Sequence, residues 1–194
     1  MSARAVLQLV EEIRGCRVCA EALPHEPRPV LAAHASARIL ICGQAPGREV
    51  HRSGVPWRDA SGDRLRDWLG IDLERFYDPR HVALVPTGFC YPGSGRSGDL
   101  PLRPECRALW HPRLLPLLES VELTVLVGEH AQRHHLGDRY RGSVTATVRA
   151  WASFSDSVPL PHPSPRNRNW LRKNEFFGAE VVPHLRARVA NLLG

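Results

Sequence analysis

No apolar run in the sequence approaches the ~18 residues a membrane-crossing helix needs, which excludes a helical span. A secretory leader is not expected either. Where its apolar core would continue, the N-terminus carries Glu11 and Glu12, so this stretch reads as a helix and the chain as cytoplasmic. Internal repeats and low-complexity linkers are missing too. With 194 residues and neither feature, the chain reads as a single domain over residues 1–194, expected to act as a monomer and long enough for a two- or three-layer core. Five cysteines in a reducing compartment do not read as a disulfide framework. Lysine is nearly absent, so the excess of 26 basic over 20 acidic residues is carried almost wholly by arginine. A net charge of +6 favours a polyanionic partner, and the planar guanidinium fork suits phosphate.

Apolar periodicity with its breakers lays out an alternating pattern. Residues 3–15 form an amphipathic helix with Val6, Leu7, Val10 and Ile13 on one face, and 20–37 is an irregular, proline-bearing crossing. Strands are expected at 38–42, 81–85 and 121–127, with a short extended piece at 158–161. Helices are expected at about 61–69, 103–118, 129–135 and 144–151, and over 167–193 with a break near Gly178. This is an α/β chain with a mainly parallel sheet covered on both faces. In such a sheet the loops after the strands share one edge: Gly43 to Gly47, Pro86 to Gly98 (Pro86 to Cys90 and then a glycine-rich loop, Tyr91 to Asp99), Gly128 to His130, and His162 to Arg168. That shared edge places Gln44, Asp59 and His162 in one cleft.

The chemistry available there is specific. Gly43-Gln44-Ala45-Pro46-Gly47 has little side-chain bulk, so its backbone can approach a ligand closely. Trp57 sits in a turn just before the carboxylate of Asp59. His162 lies between two prolines that restrict its backbone, a rigid mounting for an anion stabiliser or acid/base group. From Arg166 the chain interleaves cations with amides and an aromatic (Asn167, Arg168, Asn169, Trp170), a composition that fits phosphate and base contacts or, equally, a solvated helix with Trp170 tucked inward. His51 reads as a solvent-facing loop histidine. Cys42 is core packing. Cys16 and Cys19 have a metal-ligand or redox spacing at a helix end, with Cys90 and Cys106 further on.

Taken together these motifs resemble the uracil-DNA glycosylase superfamily. The strand followed by Gly43-Gln44-Ala45-Pro46-Gly47 is similar to its G-x-x-P-G signature, and His162-Pro163-Ser164-Pro165 to its H-P-S-P signature. Gly54-Val55-Pro56-Trp57 resembles the piece whose ring stacks on the flipped uracil. The resemblance runs from Cys16 to about Trp170 and implies a three-layer αβα sandwich around a central four-stranded, mainly parallel sheet. It is nearest to the iron–sulfur branches, families 4 and 5. This implies that Cys16, Cys19, Cys90 and Cys106 hold a [4Fe-4S] cluster, with zinc or no metal as alternatives.

The departures from the family pattern redistribute roles. Family 4 has Glu where this chain has Gln44, and family 1 has Asp where it has Ala45. Family 5 also lacks an acid in that motif and resembles Asp59 to Asp63 in the next segment, which implies Asp59 as the water-holding carboxylate. Pro86 stands where the uracil-reading Asn is expected. The resemblance thus implies hydrolysis of the N-glycosidic bond of uracil or another deaminated base in single- or double-stranded DNA. Asp59 and His162 would be catalytic, and Gly43, Gln44, Ala45, Trp57, Gly88 and Ser164 would contact the flipped nucleotide. Arg166, Asn167, Arg168, Asn169 and Trp170 would contact the DNA. A catalytically weak nucleic-acid-binding member, or a hydrolase of free nucleosides or nucleotides, is the alternative.

Overall fold

The computed structural model describes residues 3–96 and 98–194. The chain runs α1 (Ala3–Arg14), β1 (Ile39–Cys42), α2 (Arg48–Ser53), α3 (Ala60–Leu69), α4 (Leu73–Tyr77) and β2 (Val82–Leu84). Two two-residue strands, β3 (Ser94–Gly95) and β4 (Gly98–Asp99), lie in the expected glycine-rich loop, of which Ser97 falls outside the described residues. Then come α5 (Glu105–Leu109), α6 (His111–Leu114), β5 (Leu123–Val127), α7 (Gly128–Leu136), α8 (Val144–Arg149), β6 (Ser157–Leu160), α9 (Arg168–Lys173) and α10 (Val182–Leu193).

β2, β1, β5 and β6 form one sheet in that order, every pairing parallel. Because side chains alternate along a strand, β1 feeds both faces and is buried throughout. Leu40 and Cys42 join one apolar layer with Val6, Val10 and Ile13 of α1, Leu114 of α6 and Ala131 of α7. Ile39 and Ile41 join the other, with Leu65 and Leu69 of α3, Val148 of α8, and Leu185 and Val189 of α10. The three-layer α/β/α arrangement follows. Pro159 is tolerated in β6 because that strand is an edge. No helix among the described residues is long and apolar enough to cross a membrane.

The expected helix over 103–118 is two short helices and a 3₁₀ turn, Leu115–Leu117. Pro112 and Pro116 each remove a helical N–H and crowd the preceding turn, so one rod cannot form. The C-terminal helical region breaks at Asn174 (φ −130°, ψ 61°), whose buried amide donates to the Trp170 carbonyl at 2.8 Å. Gly178 lies instead inside a π-helical turn, Phe177–Val181. The expected helix to Trp151 ends at Arg149 and passes into a 3₁₀ turn. α2 and α4, of six and five residues, are too short to show a period in the sequence.

Chain order puts the crossover between β1 and β5, since β1 leads to β2 on one side and β5 lies on the other. Loops leaving the C-terminal ends of such strands diverge and open a crevice, the usual ligand position in this architecture.

Candidate active site

A cleft of about 550 Å³ opens at that edge, lined by the Gly43–Gly47 loop, Trp57, Asp59, Pro86, Gly98 and Asp99 of β4, His162, Ser164 and Arg166. Its volume is in the range of small-ligand pockets. The first two loops are clipped together at its base. Both the backbone N–H (2.9 Å) and the hydroxyl (2.8 Å) of Thr87 donate to the Gly43 carbonyl, and Gly88 N–H donates to the Gln44 carbonyl at 2.8 Å.

Trp57 is held in an unusual backbone state. Its φ of 56° is the only positive value at a non-glycine residue among those described. Such a conformation costs about 1–3 kcal/mol and persists only where the surroundings enforce it. Here three things do. Tyr77 Oη donates to the Trp57 carbonyl at 3.2 Å. Gly62 leaves room for that carbonyl, since a Cβ there would sit 1.7 Å from the oxygen. Gly43 leaves room for the indole, since a Cβ there would come within 2.8 Å of Trp57 Cζ2. The ring is thereby laid against the first glycine loop, 6.0 Å from the His162 ring.

Asp59 is the N-cap of α3. Its Oδ1 accepts from Gly62 N–H at 2.8 Å, and Oδ2 takes no hydrogen bond from any described residue. The side chain thus sits at the positive end of the helix dipole. His162 follows β6 and is fixed from several sides. Ser164 N–H donates to Nδ1 at 3.2 Å, and Asn167 Nδ2 donates to the His162 carbonyl at 2.7 Å. From α3, Arg64 donates to the carbonyls of Pro163 (3.2 Å) and Ser164 (3.1 Å). Burial pushes the His162 pKa below its ordinary 6.5, and the negative charge of Asp59 pulls it partly back. The ring is therefore neutral near pH 7. With Nδ1 accepting, the proton sits on Nε2. A neutral N–H donor and a carboxylate thus face the same small volume, close enough to feel each other.

Gln44, Ala45, Ser164 and Arg166 also line the cleft. Gly88 does not: its N–H is turned into the loop clip rather than toward a ligand, which corrects its expected role as a base reader. Trp170 is likewise not a ring offered to DNA. Its Nε1–H donates to Thr145 Oγ1 at 2.8 Å and its ring packs 5.8 Å from that of Phe177, so it belongs to the protein's own packing. Asn167 spends its amide on the His162 carbonyl, a loop anchor rather than a free DNA contact. Arg166, Arg168 and Asn169 are exposed. His51 is not solvent-facing: it lies in α2 with its ring 4.2 Å from His25 and 5.8 Å from Tyr91. Arg64 and Asp99 were not anticipated. Arg64 gives no local signal, because the carbonyls it holds are 99 and 100 residues away.

The family model described as the uracil DNA glycosylase superfamily matches residues 31–186, well over half of the chain. The chain belongs to the uracil DNA glycosylase superfamily. Membership brings, in general terms, a glycosylase-like activity and DNA binding, and the four-stranded parallel sheet between helical layers agrees with that fold.

In this superfamily member the thiols of Cys16, Cys19 and Cys106 lie within electrostatic reach of Cys90. Cys16 and Cys19 follow α1, Cys90 lies in the loop after β2, and Cys106 lies in α5; all are free and all but Cys16 are buried. Burial, with the neighbouring Cys106, Cys19 and Cys16, pushes the Cys90 thiol up to about 12. Burial likewise raises Cys19 and Cys106, with other thiols of the group adding to it. The Arg28 backbone at Cys90, the Phe89 backbone at Cys106 and the Arg103 side chain at Cys19 offset part of that rise. Cys42 stands apart, wholly buried and raised by desolvation alone.

Proposed function

We propose that this protein hydrolyses the N-glycosidic bond of uracil or another deaminated base in DNA, acting on a nucleotide turned out of the helix. The observation that carries the reading is the pairing of Asp59 and the neutral His162 across one cleft with Trp57 between the loops. A base within a duplex is unreachable, and extruding it costs a few kcal/mol, least at mismatches. The flipped ring would stack on Trp57. Cleavage leaves negative charge on the base and positive charge on the sugar. His162 Nε2–H donates to the developing anion, the kind of preorganised electrostatic help usually worth most in such sites. Oδ2 of Asp59 orients water and favours the cationic sugar, as carboxylates do in glycoside hydrolysis. Backbone groups of Gly43, Gln44 and Ala45 would read the base edge, and Arg166, Arg168 and Asn169 would hold phosphates.

The iron–sulfur type, family 4 or 5, is the branch we assign. Four free thiols, three of them buried and with Cys16, Cys19 and Cys106 all acting on Cys90, are a donor set that suits a [4Fe-4S] cluster on Cys16, Cys19, Cys90 and Cys106. The group would supply a structural tie between the segment after α1, the loop after β2 and α5. No step of the hydrolysis uses it.

Incubation with a uracil-containing single-stranded oligonucleotide, then alkali to cut abasic sites, tests the reading. Cleavage by the wild type and its loss in His162→Ala is the expected result. Intact oligonucleotide, with free nucleosides or nucleotides hydrolysed instead, would refute it.

A further inference from the structure

Behind the loop that carries Pro86, three imidazoles meet. His111 opens α6, and His134 and His135 are neighbours near the end of α7. Ring centroids lie 4.7 Å (His134–His135), 5.0 Å (His111–His134) and 6.1 Å (His111–His135) apart. One ring nitrogen from each lies within 4.8 Å of the other two.

Hydrogen bonding fixes the tautomer of the first ring. His111 Nε2 is 3.1 Å from the Pro86 carbonyl, which can only accept, so Nε2 carries the proton. Nδ1 therefore presents its lone pair, 3.0 Å from His134 Nε2. His135 Nε2 is buried with no hydrogen-bond partner among the described residues. A buried ring nitrogen left bare costs free energy and needs a reason.

We infer that His111, His134 and His135 form a binding site for a borderline divalent transition cation, zinc foremost, separate from the four cysteines. Three imidazoles are a donor set that zinc takes with one position left open. The Pro86 carbonyl is the outer partner that metal-bound histidines characteristically have, orienting His111 and setting which nitrogen is free. Burial also keeps the rings unprotonated: His134 is lowered to about 4 and His135 to about 3, and His111 is lowered as well, so protons do not compete near neutral pH. Tetrahedral zinc needs nitrogens about 3.4 Å apart, so one ring must close inward by roughly 1 Å. Arg107, exposed and screened by solvent, is the cation whose field reaches His111 and His134. It weakens the site without filling it. Because His111 holds the Pro86 carbonyl and Pro86 lines the cleft, an ion there would stiffen the cleft wall without touching a substrate.

The test uses untagged protein as purified, equilibrated with zinc and freed of excess, with zinc and iron counted per chain. His134→Gln and His135→Gln are the variants of choice, since both residues are only partly buried whereas His111 is 2 % exposed. The wild type should hold one zinc more than either variant at unchanged iron, and the variants' zinc affinity should fall at least about 100-fold. Cobalt(II) should give weak visible ligand-field bands without strong thiolate-to-cobalt absorption, and His134→Gln should abolish them. Equal zinc in wild type and both variants, or cobalt absorption of thiolate character that survives the substitutions, would overturn the site. Circular dichroism confirms that the variants are folded.

Discussion

Replacing Asp59 by Asn removes a charge and keeps a hydrogen bond, because Asn caps helices about as well as Asp. Oδ1 already accepts from Gly62 N–H at 2.8 Å, and the Asn carbonyl oxygen can do the same. What is lost from stability is the charge–dipole attraction at the start of α3, about 0.5 kcal/mol. Asp59→Ala loses that and the cap, about 1–2 kcal/mol. For a chain of this size each kcal/mol moves the melting temperature by about 2–4 °C, so the two variants separate in a thermal melt. Activity should not separate them. If the carboxylate holds the water, both lose roughly 100-fold or more in single-turnover cleavage of a uracil oligonucleotide. A third readout is independent of turnover. The Asp59 charge raises the His162 pKa, so in Asp59→Asn the His162 Cε1 proton should titrate at lower pH than in the wild type. Full activity in Asp59→Asn would hand the water to Gln44 or the backbone. An unmoved His162 titration would refute the facing geometry itself.

Gly43→Ala should leave the melt within about 1 kcal/mol of wild type while raising KM, because its methyl meets the movable Trp57 ring; Gly62→Ala, whose methyl meets the Trp57 carbonyl, should cost about 3 kcal/mol. Intrinsic fluorescence and urea titration read the two effects, and a Gly43→Ala protein with unaltered KM would argue against stacking on Trp57. The lowered His162 pKa means the folded protein binds fewer protons than the unfolded chain between the folded value and 6.5. That contribution is present above pH 6.5 and is lost as pH falls through the folded pKa. Urea midpoints should thus drop with acid more steeply in wild type than in His162→Gln. The acid limb of activity should lie below pH 6.5, since a proton on Nδ1 would face the Ser164 N–H. Cys90→Ser and Cys106→Ser should lose iron and the brown colour and melt lower, whereas Cys42→Ser should keep its iron; colourless wild type whose zinc falls by one per chain in Cys90→Ser would refute the cluster.

β1, β2 and β5 were legible because each is a short apolar run closed by glycine or proline, β6 showed only as a short extended piece, and the sheet's parallel order followed from the alternation with helices; β3 and β4, two residues each in a glycine-rich loop, gave no signal. Asp59, His162 and Trp57 were legible for a related reason: rigid or polar punctuation after a strand has few places to go. What escaped has physical causes. Pro112 and Pro116 sit on an otherwise helical pattern, and the apolar spacing of Leu109, Trp110 and Leu114 masked the breaks. Composition alone could not divide the arginines, amides and Trp170 after Ser164 between DNA and the protein's interior. Thr145, which accepts from that indole, lies 25 residues away, and Phe177 reaches it only because the helix breaks at Asn174. Gly88 looked available until its N–H proved to be committed to Gln44.

Helix α3 carries Asp59 at its first turn and, one turn on, the guanidinium of Arg64 that grips the carbonyls on either side of the Pro163–Ser164 bond. The carboxylate and the imidazole are therefore gauged against a single short rod, although 103 positions of chain separate them. Breathing of the sheet should carry both ends of that gauge together. A change at Arg64, which touches neither base nor sugar, is where the spacing between them would first drift.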